Sequence, residues 1–215
     1  MSGTGKSYFS KQLLRSADRV IVFDPEEEYG DEPGFIECTD LKAVFEIMND
    51  CWEGSFKIAF VPPNRVVPPY LPADGKLRSS PFEWYLHLLS DAIQKKQAPY
   101  KAGKFNKKVL FVVDELNQSF GLNVNKQECY GFFDLCSRGR KRGIDILGIT
   151  QRPAEVSTTY RGNLARVAVF PLSLPSDWTA VAPYVGQDAQ ERLSKAPEFS
   201  HLEWHKGAVT MRPPT

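Results

Sequence analysis

Long apolar runs are missing from this chain. Stretches such as Val109-Leu110-Phe111-Val112-Val113 fall far short of the ~20 residues that a membrane-spanning helix needs. No charge of either sign is in excess: Lys+Arg 27 stand against Asp+Glu 26, a net +1, so no global basic field points to nucleic acid and any basic function has to be local. The four cysteines, Cys38, Cys51, Cys129 and Cys136, form no CxxC pair, which argues for neither a disulfide framework nor a zinc site and leads us to expect a reducing compartment. Internal repeats and low-complexity tracts are lacking, and no signal peptide is visible, because the first residues read Met1-Ser2-Gly3-Thr4-Gly5-Lys6-Ser7. With 215 residues, 42% hydrophobic and 25% charged, the composition excludes a disordered chain and predicts one globular domain over residues 1–215.

What is present is alternation. Short β-branched runs at Arg19–Asp24, Phe56–Val61, Lys108–Asp114, Ile144–Thr150 and Arg166–Leu172 are interleaved with helix-period stretches. This predicts an α/β fold, a mainly parallel sheet with helices on both faces. Ser200–Trp204 and Gly207–Met211 read as a terminal hairpin turning at His205-Lys206. Leu41, Val44, Phe45 and Met48 form one helical stripe with Thr39 or Asp40 as its cap. Phe82, Tyr85, Leu86, Leu89 and Ile93 form another, opened by Ser80 as cap, Pro81 at the first position and Glu83 closing a capping box. A third helix is predicted from about Lys126 to Ser137. The proline-rich stretch 62–81 reads as a surface excursion rather than a domain boundary, since strands of one pattern flank it.

Ser2-Gly3-Thr4-Gly5-Lys6-Ser7 is the back half of a phosphate-binding loop, G-x-x-x-x-G-K-[ST]. Glycines let backbone N–H groups turn inward around phosphate oxygens, Lys6 would reach the β- and γ-phosphates of ATP, and the Ser7 hydroxyl would hold Mg²⁺. A helix starting here, with Phe9, Leu13 and Leu14 inward, aims its positive end at the anion. The first glycine of the motif would precede Met1, as would the strand that feeds the loop. The loss of such a strand would leave ladder groups unpaired on two neighbours, so the native protein is expected to begin upstream.

The run Val109–Val113 delivers Asp114 and Glu115 at its C-terminal end, the edge where open parallel sheets bind ligands. Asp114 suits the magnesium shell, and Glu115 suits the polarisation of a water for in-line attack on the γ-phosphate. Ser137-Arg138-Gly139-Arg140-Lys141-Arg142-Gly143 is the densest basic cluster and leads into Ile144–Ile149 and Thr150-Gln151-Arg152-Pro153. Gln151 would emerge at the edge that carries Glu115, to sense the γ-phosphate or orient water. Arg138, Arg140 and Arg142 sit at the other end of that strand and suit a neighbouring subunit's site, as fingers supplied in trans; geometry does not choose among them.

Four blocks resemble the FtsK–HerA superfamily of DNA-translocating ATPases: Gly3-Thr4-Gly5-Lys6-Ser7; Val22-Phe23-Asp24-Pro25 with Glu28-Tyr29; Val112-Val113-Asp114-Glu115; and Arg138–Gly143 through Thr150-Gln151-Arg152-Pro153. The small size is similar to the viral genome-packaging branch. The resemblance implies a RecA-like core in which the Gln151 strand lies between the phosphate-loop strand and the Asp114 strand. It also implies a hexameric ring around double-stranded DNA, with capsid or vertex proteins as possible docking partners and a place in the host cytoplasm or on the virion. By the same resemblance Ser2, Gly3, Thr4, Gly5, Lys6 and Ser7 bind nucleotide, Ser7 and Asp114 the metal, Glu115 is the base, Gln151 the sensor, and the arginine run the finger.

Other readings stay open from sequence. A morphogenesis or secretion ATPase like the zonular-occludens-toxin group shares this core, and a degenerate nucleotide-binding scaffold would keep the loop without the hydrolysis. A small-molecule kinase has little use for Asp114-Glu115 together. Lys101, Lys104, Lys107 and Lys108 are either a solvated loop or contacts to DNA phosphates. His201 and His205 lie on a strand-like stretch with no third ligand indicated, which argues against a metal pair.

Overall fold

A computed structural model describes residues 5–127 and 129–214. The chain opens with α1 (Lys6–Arg15) and β1 (Arg19–Phe23), followed by β2 (Phe35–Cys38), α2 (Leu41–Cys51), β3 (Phe56–Phe60) and α3 (Pro81–Lys101). The second half runs β4 (Val109–Val113), α4 (Leu116–Ser119), α5 (Tyr130–Arg138), β5 (Ile144–Gly148), α6 (Thr158–Arg161), β6 (Arg166–Val169), α7 (Pro175–Val185), α8 (Ala189–Ser194), β7 (His201–His205) and β8 (Ala208–Arg212). The caps are those the composition suggests. The Asp40 carboxylate accepts from Ala43 N at 2.9 Å and the Ser80 hydroxyl from Glu83 N at 3.1 Å, each satisfying a free first-turn donor. Residues 62–80 contain no helix or strand.

β2-β3-β1-β4-β5 form one all-parallel sheet. The strand alternation splits its side chains between two cores. Ile21, Phe23, Ile58, Phe60, Phe111 and Val113 face α2, α3 and α5, where Phe132 packs edge-on against Phe111 and Phe120. Val20, Val22, Ala59 and Val112 face α1 through Leu14. Helices therefore cover both faces, as parallel strands require. Among the described residues, no helix is long and apolar enough to cross a membrane.

Four expectations are corrected. Arg166–Val169 does not join the parallel sheet. It pairs antiparallel with β7, which pairs with β8, and this second sheet packs on α7 and α8 through Val169, Val181, Val185, Leu193 and Leu202. The hairpin turns at Lys206-Gly207, one residue later than expected: His205 pairs with Ala208, and Lys206 (φ 50) and Gly207 (φ 85) supply the two left-handed residues that a tight hairpin turn demands. The third helix begins at Tyr130, because Asn125 folds the preceding residues into a turn, its Oδ1 accepting from Gln127 N and its carbonyl from Cys129 N. Leu13 is exposed on α1 while Ser10 takes the inward position.

Between β5 and β6 lies an open cavity of about 1100 Å³, lined by Phe9 and Leu13 of α1, Ile146 and Leu147 of β5, and Val167 and Val169 of β6. Ile149 N–H donates to Val113 and its carbonyl accepts from Leu116, so Ile144, Ile146 and Gly148 turn their backbone groups to the cavity edge. There Gly148 N–H donates to the Tyr160 hydroxyl at 2.6 Å. β6 likewise pairs on one side only among the described residues. β5 is accordingly half-buried where β1 and β4 are nearly dry.

Phe111→Ala, at a fully buried position of the interior strand β4, is expected to cost about 3–5 kcal/mol in urea unfolding. Leu13→Ala, at the cavity rim, is expected to cost under ~1 kcal/mol. The reverse ranking would contradict this core assignment.

Candidate active site

The C-terminal ends of β1, β4 and β5 carry Asp24, Asp114-Glu115 and Thr150-Gln151, and α1 begins at the same edge. A parallel sheet aligns these ends, so apolar strands with polar last residues gather their polar groups at one place. Gly5 caps α1 with φ 90, and Lys6 is the first helical residue. Burial lowers the Lys6 pKa, while the negative charges of Glu115, Asp114 and Glu28 hold it up. Lys6 is thus a half-buried cation facing three carboxylates.

Asp114 is only 5% exposed. Burial pushes its pKa up to about 7, and Glu28, Glu115 and Asp24 push the same way against a backbone hydrogen bond from Glu115. Asp24 is fully buried, accepting from Glu28 N at 3.0 Å and Tyr29 N at 2.9 Å, and burial raises its pKa as well. The Tyr29 hydroxyl shares a 3.1 Å hydrogen bond with Ser10, which ties this acidic turn to α1.

Glu115 stands in the left-handed region at φ 41, a strained backbone for a glutamate, where it caps α4. Its Oε1 accepts from Gln151 Nε2 at 3.0 Å. Gln151 is braced from behind: Thr150 Oγ1 donates to Asn117 Oδ1 at 2.7 Å and accepts from Arg152 N at 2.9 Å, and Arg152 Nε donates to buried Asp177 at 3.1 Å. Gln151 is thus bonded to Glu115, and Glu115 and Asp114 both act electrostatically on Lys6 at this edge. Ser7 lies exposed on the first turn of α1, its carbonyl accepting from the Ser10 hydroxyl at 2.9 Å. Ser2, Gly3 and Thr4 lie outside the described residues.

The arginines are at the other edge. Arg138 closes α5 and the 3-10 turn Gly139–Arg142 precedes β5. Arg138 donates to Asp134 at 2.8 Å, and Arg142 is held by Asp134 and Gln94. Arg140 is exposed and its side chain makes no hydrogen bond or ion pair among the described residues. The structure thus separates three candidates that sequence could not.

Asp114 and Ser7 supply hard oxygen donors beside uncompensated negative charge, which suits Mg²⁺, an ion that takes few protein ligands and completes its shell with water and phosphate. No set of three His, Cys, Asp or Glu side chains among the described residues is arranged to hold a metal alone. The expected position of the Gln151 strand is half met: β5 pairs with β4 on one side and borders the cavity on the other.

Sequence reasoning missed four residues here. Glu28 was visible only as part of a block, with no role, because its approach to Lys6 depends on the Asp24 turn. Phe170 lines the cavity just after β6, while Phe199 lies just before β7 and His201 opens it. A Cβ at Gly5 would stand 3.4 Å from Phe170 Cε1 and 3.5 Å from Phe199. No local pattern advertised that contact.

No protein-family model matches the sequence, and no curated protein matches it at a significant level. The fold does have counterparts. The genome-packaging NTPase B204 from Sulfolobus turreted icosahedral virus 2, in complex with ATP-gammaS, superposes with a TM-score of 0.68 at 13% identity, over 100% of this chain and 94% of that one. B204, the DNA-packaging ATPase from Sulfolobus turreted icosahedral virus, gives 0.60 at 13% identity over 99% and 95%. EssC (ATPases 2 and 3) from Geobacillus thermodenitrificans gives 0.50 at 13% identity, covering 99% of this chain but 38% of that chain. The chain is similar in fold to these P-loop ATPases.

The raised Asp114 pKa has a sign. Between about pH 4 and 7 the folded chain holds a proton that the unfolded chain has released, so this group's contribution makes stability fall as pH rises through that window. Asp114→Asn is expected to stabilise the nucleotide-free protein by about 2–4 kcal/mol near pH 8 and to change little near pH 4. Equal effects at both pH values in chemical denaturation would contradict the assignment.

Proposed function

We propose that this chain is an ATP-hydrolysing motor acting on double-stranded DNA, of the viral genome-packaging type within the FtsK–HerA superfamily. The observation that carries the reading is the 3.0 Å Gln151–Glu115 hydrogen bond beside Lys6, one residue after the buried Asp114. Lys6 attracts the β- and γ-phosphates over the amides at the start of α1. Glu115 takes the proton of a water that Gln151 helps hold in line with the γ-phosphorus; a new P–O bond forms, the bond to the β-γ bridging oxygen breaks, and ADP and phosphate are released. Mg²⁺, when bound at Ser7 and Asp114, would neutralise phosphate charge.

The free Arg140 lies at the opposite edge of its own sheet, a position suited to a neighbour's γ-phosphate in a ring. A hexamer around DNA, docked on a capsid or vertex protein at the virion or in the host cytoplasm, is the assembly this favours. The likeness to B204 supports the packaging reading over a secretion ATPase.

For the enzyme itself, Glu115→Gln is expected to lower duplex-DNA-stimulated ATP hydrolysis about 10²–10⁴-fold with ATP binding retained. Arg140→Ala is expected to lower it about 10³-fold or more. Mixing the two variant chains should recover part of the activity, since one contributes an intact base and the other an intact arginine. Unchanged hydrolysis in Glu115→Gln would break the assignment of the base, and no recovery on mixing would break the trans arrangement.

A further inference from the structure

We propose that Phe199, which like Phe170 lies against Gly5 at the start of α1, is the platform on which the base of the bound nucleotide stacks. The proposal rests on the nucleotide reading above and extends it to the other end of the ligand.

Two sides of the α1 N-terminus differ in chemistry. Lys6 faces the carboxylates that follow β4, whereas Gly5 abuts Phe170, just after β6, and Phe199, just before β7. Lys6 and Phe170 both line the cavity between β5 and β6. A triphosphate over the first-turn amides, with its terminal phosphate at Glu115 and Gln151, sends its remaining end toward the aromatic side.

That side is built to receive a flat ring. His201 stacks on Phe170 with ring centroids 4.8 Å apart and planes at 23°, and Phe9 closes the group at 5.7 Å from Phe170 and 4.8 Å from His201. His201 is 2% exposed and Phe170 5%, so these two rings are buried against one another. Phe199 is instead 46% exposed at φ 64, held outward beside Gly5. An aromatic ring kept in water by a backbone that phenylalanine rarely adopts gains when a base covers it. Beside it in sequence, the Ser200 hydroxyl is buried and has no hydrogen-bond partner among the described residues. Stacking accepts any base face, so the site favours purines by area more than by hydrogen bonding.

Calorimetric titration of the full chain with ATP and, separately, with inorganic tripolyphosphate tests this. Phe199→Gly removes the ring at a φ that glycine adopts freely, which protects the fold. It is expected to weaken ATP about tenfold and leave tripolyphosphate unchanged, and Phe199→Trp is expected to restore ATP affinity. ATP unchanged in Phe199→Gly, or both ligands weakened equally, would overturn the platform while leaving the phosphate site standing. If the unmodified chain binds neither ligand, the nucleotide reading fails and the platform with it.

Discussion

β4 has a strand hydrogen-bonded on each edge and helices packed on each face, so its five residues can only be apolar and its first polar group can only appear where the sheet stops. That constraint places Asp114 and Glu115 at the carboxyl edge. Parallel pairing holds the ends of β1 and β5 in register with it, so Asp24 follows Phe23 beside Asp114 and Gln151 emerges just past Ile149 at the same edge. The remaining features of the site answer to that alignment. The Asp24 turn swings Glu28 toward Lys6, the Thr150–Asn117 bond steadies Gln151, and the strained Glu115 backbone starts α4.

The resulting pocket holds more negative charge than it neutralises. Lys6 is the cation set among Asp114, Glu115 and Glu28, and burial weakens it as a counter-ion for all three. Asp114 answers by holding its proton up to about pH 7. A divalent cation arriving with a polyphosphate would reverse that balance. Under the proposed function, ligand binding and the protonation of Asp114 are coupled.

The two sheets bring different chemistry to the start of α1. The parallel sheet supplies charged and hydrogen-bonding groups at strand ends, while the small antiparallel sheet supplies an aromatic wall held by α7 and α8. α1 reaches both, through Lys6 on one side and Gly5 on the other. The basic turn before β5 stands a full strand length from this pocket, with Arg138 and Arg142 locked by Asp134 and Arg140 free. Under the proposed function, that separation is the reason Arg140 is assigned to a neighbour's site.

Much of this was legible in the chain. Val109–Val113 with Asp114-Glu115, the Gly-Lys-Ser turn, the Asp40 and Ser80 caps and the Gln151 strand end are local patterns, each dictated by burial, backbone geometry or charge within a few residues. Other features were not legible, because they depend on residues far apart in sequence. Arg166–Val169 reads like any other apolar strand, and only its pairing with His201–His205 removes it from the parallel sheet. Arg138, Arg140 and Arg142 are equivalent in sequence until Asp134 and Gln94 claim two of them. Phe199 looks like an ordinary core aromatic, and only the fold leaves it about half exposed against Gly5. Local order follows from neighbours along the chain; the assignment of partners was decided by which surfaces the tertiary packing left uncovered.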